Sequence, residues 1–194
     1  MRLPPLAPAE LTPNVRSMHD DMAQVIAKHL QGFVTQRSDG ALIGPFSPML
    51  HFPQFGGAAW TLVKLLISSA KLPSAAREVA VLLTGARLNS RYELYSHEHV
   101  AARSGLSEKQ IATLSAGQRP ADLSNEEEAA FDVTATLLQG RQLPESTYQR
   151  ALRAFGAEQL AELVYLIGGY CLISLLLNAY DISVPGREEN LPAS

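Results

Sequence analysis

The sequence predicts an all-α fold in a single domain. Three observations carry this: apolar residues recur at helical spacing in one segment after another, serine-headed capping boxes open two segments, and no useful stretch alternates apolar and polar residues as a strand would. At 194 residues the chain is long enough for one substantial core. Residues 1–194 are read as one domain, with an N-terminal arm and helix over 1–40 and the main core over about 41–184.

The elements follow in order. Residues 1–11 carry Pro4, Pro5 and Pro8 and lack a basic start followed by an apolar run, so they read as an ordered or semi-ordered arm, not a secretory signal. Over 14–30, Val15, Met18, Met22, Val25, Ile26 and Leu30 form one stripe, with Thr12 as the capping hydroxyl and Pro13 in the first turn. Segment 40–57 interleaves Pro45, Pro48 and Pro53 with Phe46, Met49, Leu50, Phe52 and Phe55, and reads as a loop or short helix packed on the core. Helices follow over 58–70, 75–88 and 91–104, with Asn89 and Ser90 as a break and Gly105 as a C-terminal stop. Ser107 with Gln110, and Ser124 with Glu127, open two more. The acidic run Glu126, Glu127 and Glu128 faces the positive end of the second helix dipole and reads as solvated.

Two helices close the chain, over 144–155 and 157–180. The last is apolar nearly all round from 160 to 177, so it is either the central core helix or an oligomer interface. Its most apolar stretch, 163–177, is shorter than the ~20 residues of a membrane span, and no membrane is expected. Charged residues make 18% of the chain against ~25% in an average soluble protein, which points to surface lost in self-association. A net charge of -3 without clustered Lys and Arg excludes a nucleic-acid binder. Cys171 is the lone cysteine; it fits a reducing, cytoplasmic setting and reads as a small buried apolar side chain.

The chemistry concentrates at 89–99, N-S-R-Y-E-L-Y-S-H-E-H. On a helix Ser90, Glu93 and His97 share a face with Leu94 and Ala101, while Tyr92, Tyr95, His99 and Arg103 fall on the other side. A carboxylate and an imidazole four residues apart, flanked by small and apolar residues, suit proton transfer: burial shifts both pKa values, and the carboxylate fixes the histidine tautomer. By spacing alone, a helix-surface pair worth ~0.3 kcal/mol is the simpler reading. His97 and His99 point to opposite faces and do not make an H-E-x-x-H pattern, so no metal is expected. The chain also lacks a nucleophile elbow, a phosphate loop and a dinucleotide fingerprint, and no cofactor is expected.

The run over 73–114 contains R-E-x-A-x-L, then Y-E-x-x-x-H, then G-L-S-E-x-x-I, and resembles the carboxymuconolactone decarboxylase family. The segment G-P-F-S-P-M-L-H-F-P over 44–53 looks like the G-P-F-x-x-M-L-H-x-P of that family, and Phe155, Gly156, Glu162, Leu163 and Tyr170 look like its closing helices. The resemblance implies an alkylhydroperoxidase D-like helical bundle. In the alkylhydroperoxidase D proteins a C-x-x-C pair precedes the histidine by seven and four residues, with a glutamate twelve before the first cysteine. Mapped here, His97 and Glu78 are kept, and Ser90 and Glu93 stand where the cysteines would, so disulfide-relay peroxidase chemistry is not expected.

What the resemblance implies instead is a cofactor-independent lyase or isomerase. It would decarboxylate, or move a proton on, a small cyclic or unsaturated carboxylic acid or lactone, with His97 as the acid oriented by Glu93. Arg77 would hold a substrate carboxylate or pair with a neighbouring helix, and His51 would line the pocket or simply pack. Members of the family are trimers or hexamers with sites near subunit contacts, so a homo-oligomer with its interface close to His97 is expected. The alternatives are a non-catalytic oligomeric binding protein on the same scaffold and, least supported, a thiol peroxidase.

Overall fold

Proline and capping chemistry sets where the helices begin. The computed structural model describes residues 1–186, which form a single 3-10 turn (Pro8–Glu10) and eight helices: α1 (Pro13–His29), α2 (Phe46–His51), α3 (Pro53–Ser68), α4 (Ser74–Arg87), α5 (Arg91–Arg103), α6 (Glu108–Ser115), α7 (Asn125–Leu138) and α8 (Glu145–Ala179). Among the described residues no strand forms beyond an isolated bridge between Gln36 and Leu42. The all-α expectation is met. Ser107 and Ser124 each accept a bond from the backbone N–H three residues on, and Gln110 and Glu127 return it, so both capping boxes are real. Thr12 is different. It occupies the N-cap of α1, but its hydroxyl makes no capping bond, and Pro13, whose missing N–H needs no partner there, begins the helix instead.

The proline-rich segment is helical for the same reason. Pro53 opens α3, and residues 41–50, including all of α2 but its last residue, are buried. The N-terminal arm lies against the end of α8: the Arg2 backbone N–H donates to Tyr180 O at 2.9 Å and its guanidinium to Ala179 O at 2.7 Å.

The helix at the centre is α4. Ala76 and every residue from Glu78 to Gly85 are buried, because α5, α7 and α8 all pack around it. The expectation that the last helix is either core or interface resolves into a half-buried helix. α8 turns Leu160, Leu163, Leu166, Ile167, Tyr170, Ile173 and Leu177 inward and leaves Val164, Tyr165, Leu172 and Leu175 exposed. Gly156, at φ 70°, breaks it into the two segments expected, a conformation that glycine adopts without a Cβ penalty. By length and composition α8 passes for a membrane span, more so than the 163–177 stretch suggests, but half of its most apolar window is buried inside the protein.

Candidate active site

Gly85 lets α4 and α5 approach closely. A Cβ added there would meet the Glu93 Cβ at 3.3 Å and Leu94 at 3.4 Å, so a larger residue would push α5 away at the level of Glu93. The close contact places Glu78 of α4 opposite Glu93 and His97 of α5. All three are buried, with 2%, 3% and 8% of their surface exposed. Glu78 Oε2 lies 2.7 Å from His97 Nδ1, and Glu93 Oε2 lies 3.6 Å from His97 Nε2. The ring therefore stands between two carboxylates.

This geometry corrects one expectation. Glu78, not Glu93, makes the hydrogen bond that orients the imidazole; Glu93 Oε2 has no hydrogen-bond partner at all. A buried, unpartnered carboxyl oxygen costs stability and calls for a ligand, a water or a role in proton transfer. The two glutamates approach opposite ring nitrogens, and among the described residues no group of three His, Cys, Asp or Glu side chains converges to hold a metal ion.

Burial dominates the electrostatics. It pushes the Glu93 carboxyl up from 4.5, against a downward pull from His97 and with a further push from Glu78, to about 7. Burial also opposes charge on His97, but the Glu78 carboxylate, by its charge and its hydrogen bond, outweighs this together with Glu93, so the His97 pKa is raised. The raised pKa favours the imidazolium form, in which Nδ1–H donates to Glu78. The hydroxyls of Tyr92 and Tyr170 are also pushed up by burial and stay protonated.

Glu93 and His97 open onto a cavity of about 40 Å³, whose other walls include Leu30, Phe33, Phe46, Tyr92, Ser96 and Tyr170. Tyr170 of α8 sets its ring edge-on to the His97 imidazole, with centroids 5.0 Å apart. Of the supporting residues, only Glu78 joins the pair. Ser90 is the fully buried N-cap of α5, but its hydroxyl has no partner and does not line the cavity. Arg77 pairs with Glu162 of α8 at 3.8 Å, the blander of its two expected roles. His51 does not line the cavity either: its Nε2 lies 2.8 Å from Pro4 O and holds the N-terminal arm. Cys171, expected to be buried, is partly exposed on α8 and outside the cavity, where burial raises its thiol pKa.

Several lining residues escaped the sequence reading. Tyr92 was placed on the face away from Glu93, yet it is buried because the 30–45 segment covers that side of α5. A second, larger cavity of about 630 Å³ lies between α2, α3 and α8, lined by Met49, Phe52, Phe55, Leu62, Leu172 and Leu176 among others. No Asp, Glu, His, Lys or Arg lines it.

No protein-family model and no curated protein matches the sequence. Solved structures do match. The alkylhydroperoxidase AhpD core of an uncharacterized peroxidase-related protein from Ralstonia eutropha JMP134 aligns with a TM-score of 0.72 at 12% identity, over 96% of this chain and 93% of that one. The debrominase Bmp8, a cysteine-to-alanine variant in complex with 2,3,4-tribromopyrrole, aligns with a TM-score of 0.70 at 15% identity, over 97% and 94%. A protein of unknown function from Agrobacterium tumefaciens aligns with a TM-score of 0.63 at 14% identity, over 73% and 98%. Across nearly its whole length, the chain has the fold of the AhpD-like proteins.

Proposed function

We propose that the protein is a cofactor-independent acid–base enzyme of the lyase or isomerase kind, acting on a small unsaturated ring such as a lactone. One observation carries the reading: a carboxyl held near neutrality, with an unpartnered oxygen, faces a mostly apolar cavity beside an imidazolium. A group whose pKa lies near working pH both takes and gives a proton efficiently. Glu93 is therefore the proton carrier, His97 Nε2–H is the donor that steadies developing negative charge on a substrate oxygen, and Glu78 keeps the ring charged and oriented.

The isomerisation balances within these groups. Glu93 as carboxylate removes a proton from a carbon next to the ring carbonyl, and the C–H electrons pass into the carbonyl to give a dienolate whose oxygen accepts from His97. Glu93 then returns the proton to another carbon of the conjugated system. Decarboxylation uses the same site: the C–C bond to a carboxylate breaks, carbon dioxide leaves, and neutral Glu93 protonates the dienolate. No Lys or Arg lines the cavity, so an anionic acid is held less well than a neutral lactone. The ring-sized ligand of Bmp8 on the same fold supports a substrate of that size. The test is proton exchange into a panel of small lactones and unsaturated acids in deuterated buffer, followed by NMR. Wild type should label a ring carbon, and Glu93→Gln and His97→Ala should not; activity within threefold of wild type in both variants contradicts the assignment.

The same reading includes self-association. Phe55, Leu65, Tyr165 and Leu175 are 75%, 57%, 64% and 59% exposed on neighbouring α3 and α8, and no charged residue occurs between 163 and 180. With Phe52, Val164 and Leu172 they expose several hundred Å² of apolar surface, the order of the ~800 Å² per partner in a standard interface. A second copy of this chain is the proposed occupant, because an isologous contact covers the patch on both subunits at once. Sedimentation equilibrium should show a homo-oligomer, which Leu175→Glu dissociates; a single 21 kDa species in wild type contradicts it.

A further inference from the structure

The cavity beside Glu93 is too small for any ring in the observed conformation. At about 40 Å³ it accommodates water, whereas a benzene-sized ring takes ~150 Å³. Part of its wall must therefore move. The helices are poor candidates, since α4, α5 and α8 are locked by the central packing. Leu30 and Phe33 are not: they belong to the connection after α1, where residues 31–34 lie in neither helix nor bridge.

That stretch packs against Arg103 at Gly32 and His99 at Phe33, but few hydrogen bonds hold it. Among the described residues, its backbone makes only two hydrogen bonds, both at Val34. The Tyr92 hydroxyl donates to Val34 O at 3.2 Å, and Val34 N–H donates to the Tyr95 hydroxyl at 3.3 Å. Phe33 meets the edge of the Tyr95 ring at 6.3 Å and projects into the cavity wall. Beyond it, Ile43 N–H to Thr35 O and Arg37 N–H to Ala41 O close a small hairpin that keeps its own shape. Val34 is 48% exposed, so water replaces the two tyrosine hydroxyls readily when they let go.

We propose that residues 31–34 are a door over the Glu93–His97 cavity, latched by the Tyr92 and Tyr95 hydroxyls on Val34, and that Phe33 limits the size of ring admitted. The inference rests on reading this cavity as the reaction site, and it adds how substrate enters and what sets specificity. Because the latched cavity is too small for a ring, the ligand binds with the latch open, so weakening the latch speeds entry and tightens binding together. Shortening Phe33 changes which rings fit.

The probes are phenol and 1-naphthol, followed through the ring signals of His97 in histidine-labelled protein by NMR, with circular dichroism as a check on folding. In wild type phenol should shift His97 and 1-naphthol should not. Phe33→Ala should admit 1-naphthol. Tyr95→Phe, which leaves the Val34 N–H to water, should lower the phenol Kd about fivefold, with faster hydrogen exchange at the Val34 amide. The proposal is overturned if 1-naphthol stays excluded from Phe33→Ala, if the phenol Kd is unchanged in Tyr95→Phe, or if phenol shifts His97 in none of the proteins. No turnover is measured, so the door can fail while proton transfer by Glu93 stands, and the reverse.

Discussion

Replacing Glu93 by glutamine should stabilise the protein at alkaline pH while removing its proton-transfer chemistry. The Glu93 carboxyl titrates near 4.5 when unfolded and at about 7 in the fold, chiefly because burial penalises its charge. The stability contributed by the neutral form is fully present below pH 4.5 and is lost as pH rises through 7. A gap of that size is worth about 3 kcal/mol. Glutamine has nearly the same shape and cannot ionise, so it escapes the loss. At pH 4 wild type and Glu93→Gln should be about equally stable, and at pH 8 the variant should lead by up to about 3 kcal/mol, or roughly 6–12 °C in Tm for a chain of this length. Urea and thermal unfolding at pH 4, 6 and 8 measure this directly. A variant that is less stable at pH 8, or that keeps the wild-type dependence between pH 5 and 8, refutes the reasoning.

Glu78→Gln removes the charge and the hydrogen bond that raise the His97 pKa, leaving burial to lower it. The His97 pKa should drop below its ordinary 6.5, read by NMR titration; a value still above 6.5 contradicts the role given to Glu78. Cys171→Ser should leave any turnover intact, since the thiol lies outside the cavity, and turnover that disappears in this variant restores a redox reading.

The parts of the fold legible in the sequence were those written locally. Ser107 with Gln110 and Ser124 with Glu127 announce their helices because each box closes within one turn, and Gly156 marks the break in α8 because only its own dihedral is at stake. The four-residue spacing placed Glu93 and His97 on one face but by itself favoured a surface pair; the family resemblance singled them out, together with Glu78. That Glu78 holds the ring while Glu93 is left without a partner depends on the depth at which α4 packs on α5, a tertiary quantity that spacing cannot express. The wall formed by Leu30 and Phe33 was invisible for a related reason: it lies in a connection without periodicity, and its position is set by two tyrosine hydroxyls some sixty residues away. His51 shows the opposite error, a residue placed near the pocket by its neighbours in sequence and used by the structure to fasten the N-terminal arm.

The central claim is that Glu93 is a proton carrier poised at neutrality inside the protein. Its most direct test is the carboxyl titration itself, by carbon-13 NMR of glutamate-labelled protein between pH 3 and 9, with Glu93→Gln identifying the signal. The account requires one carboxyl with a midpoint near 7 that vanishes in Glu93→Gln. A Glu93 midpoint in the ordinary range of about 4 to 5 would mean an ionised, solvated side chain, and would contradict the proposed chemistry.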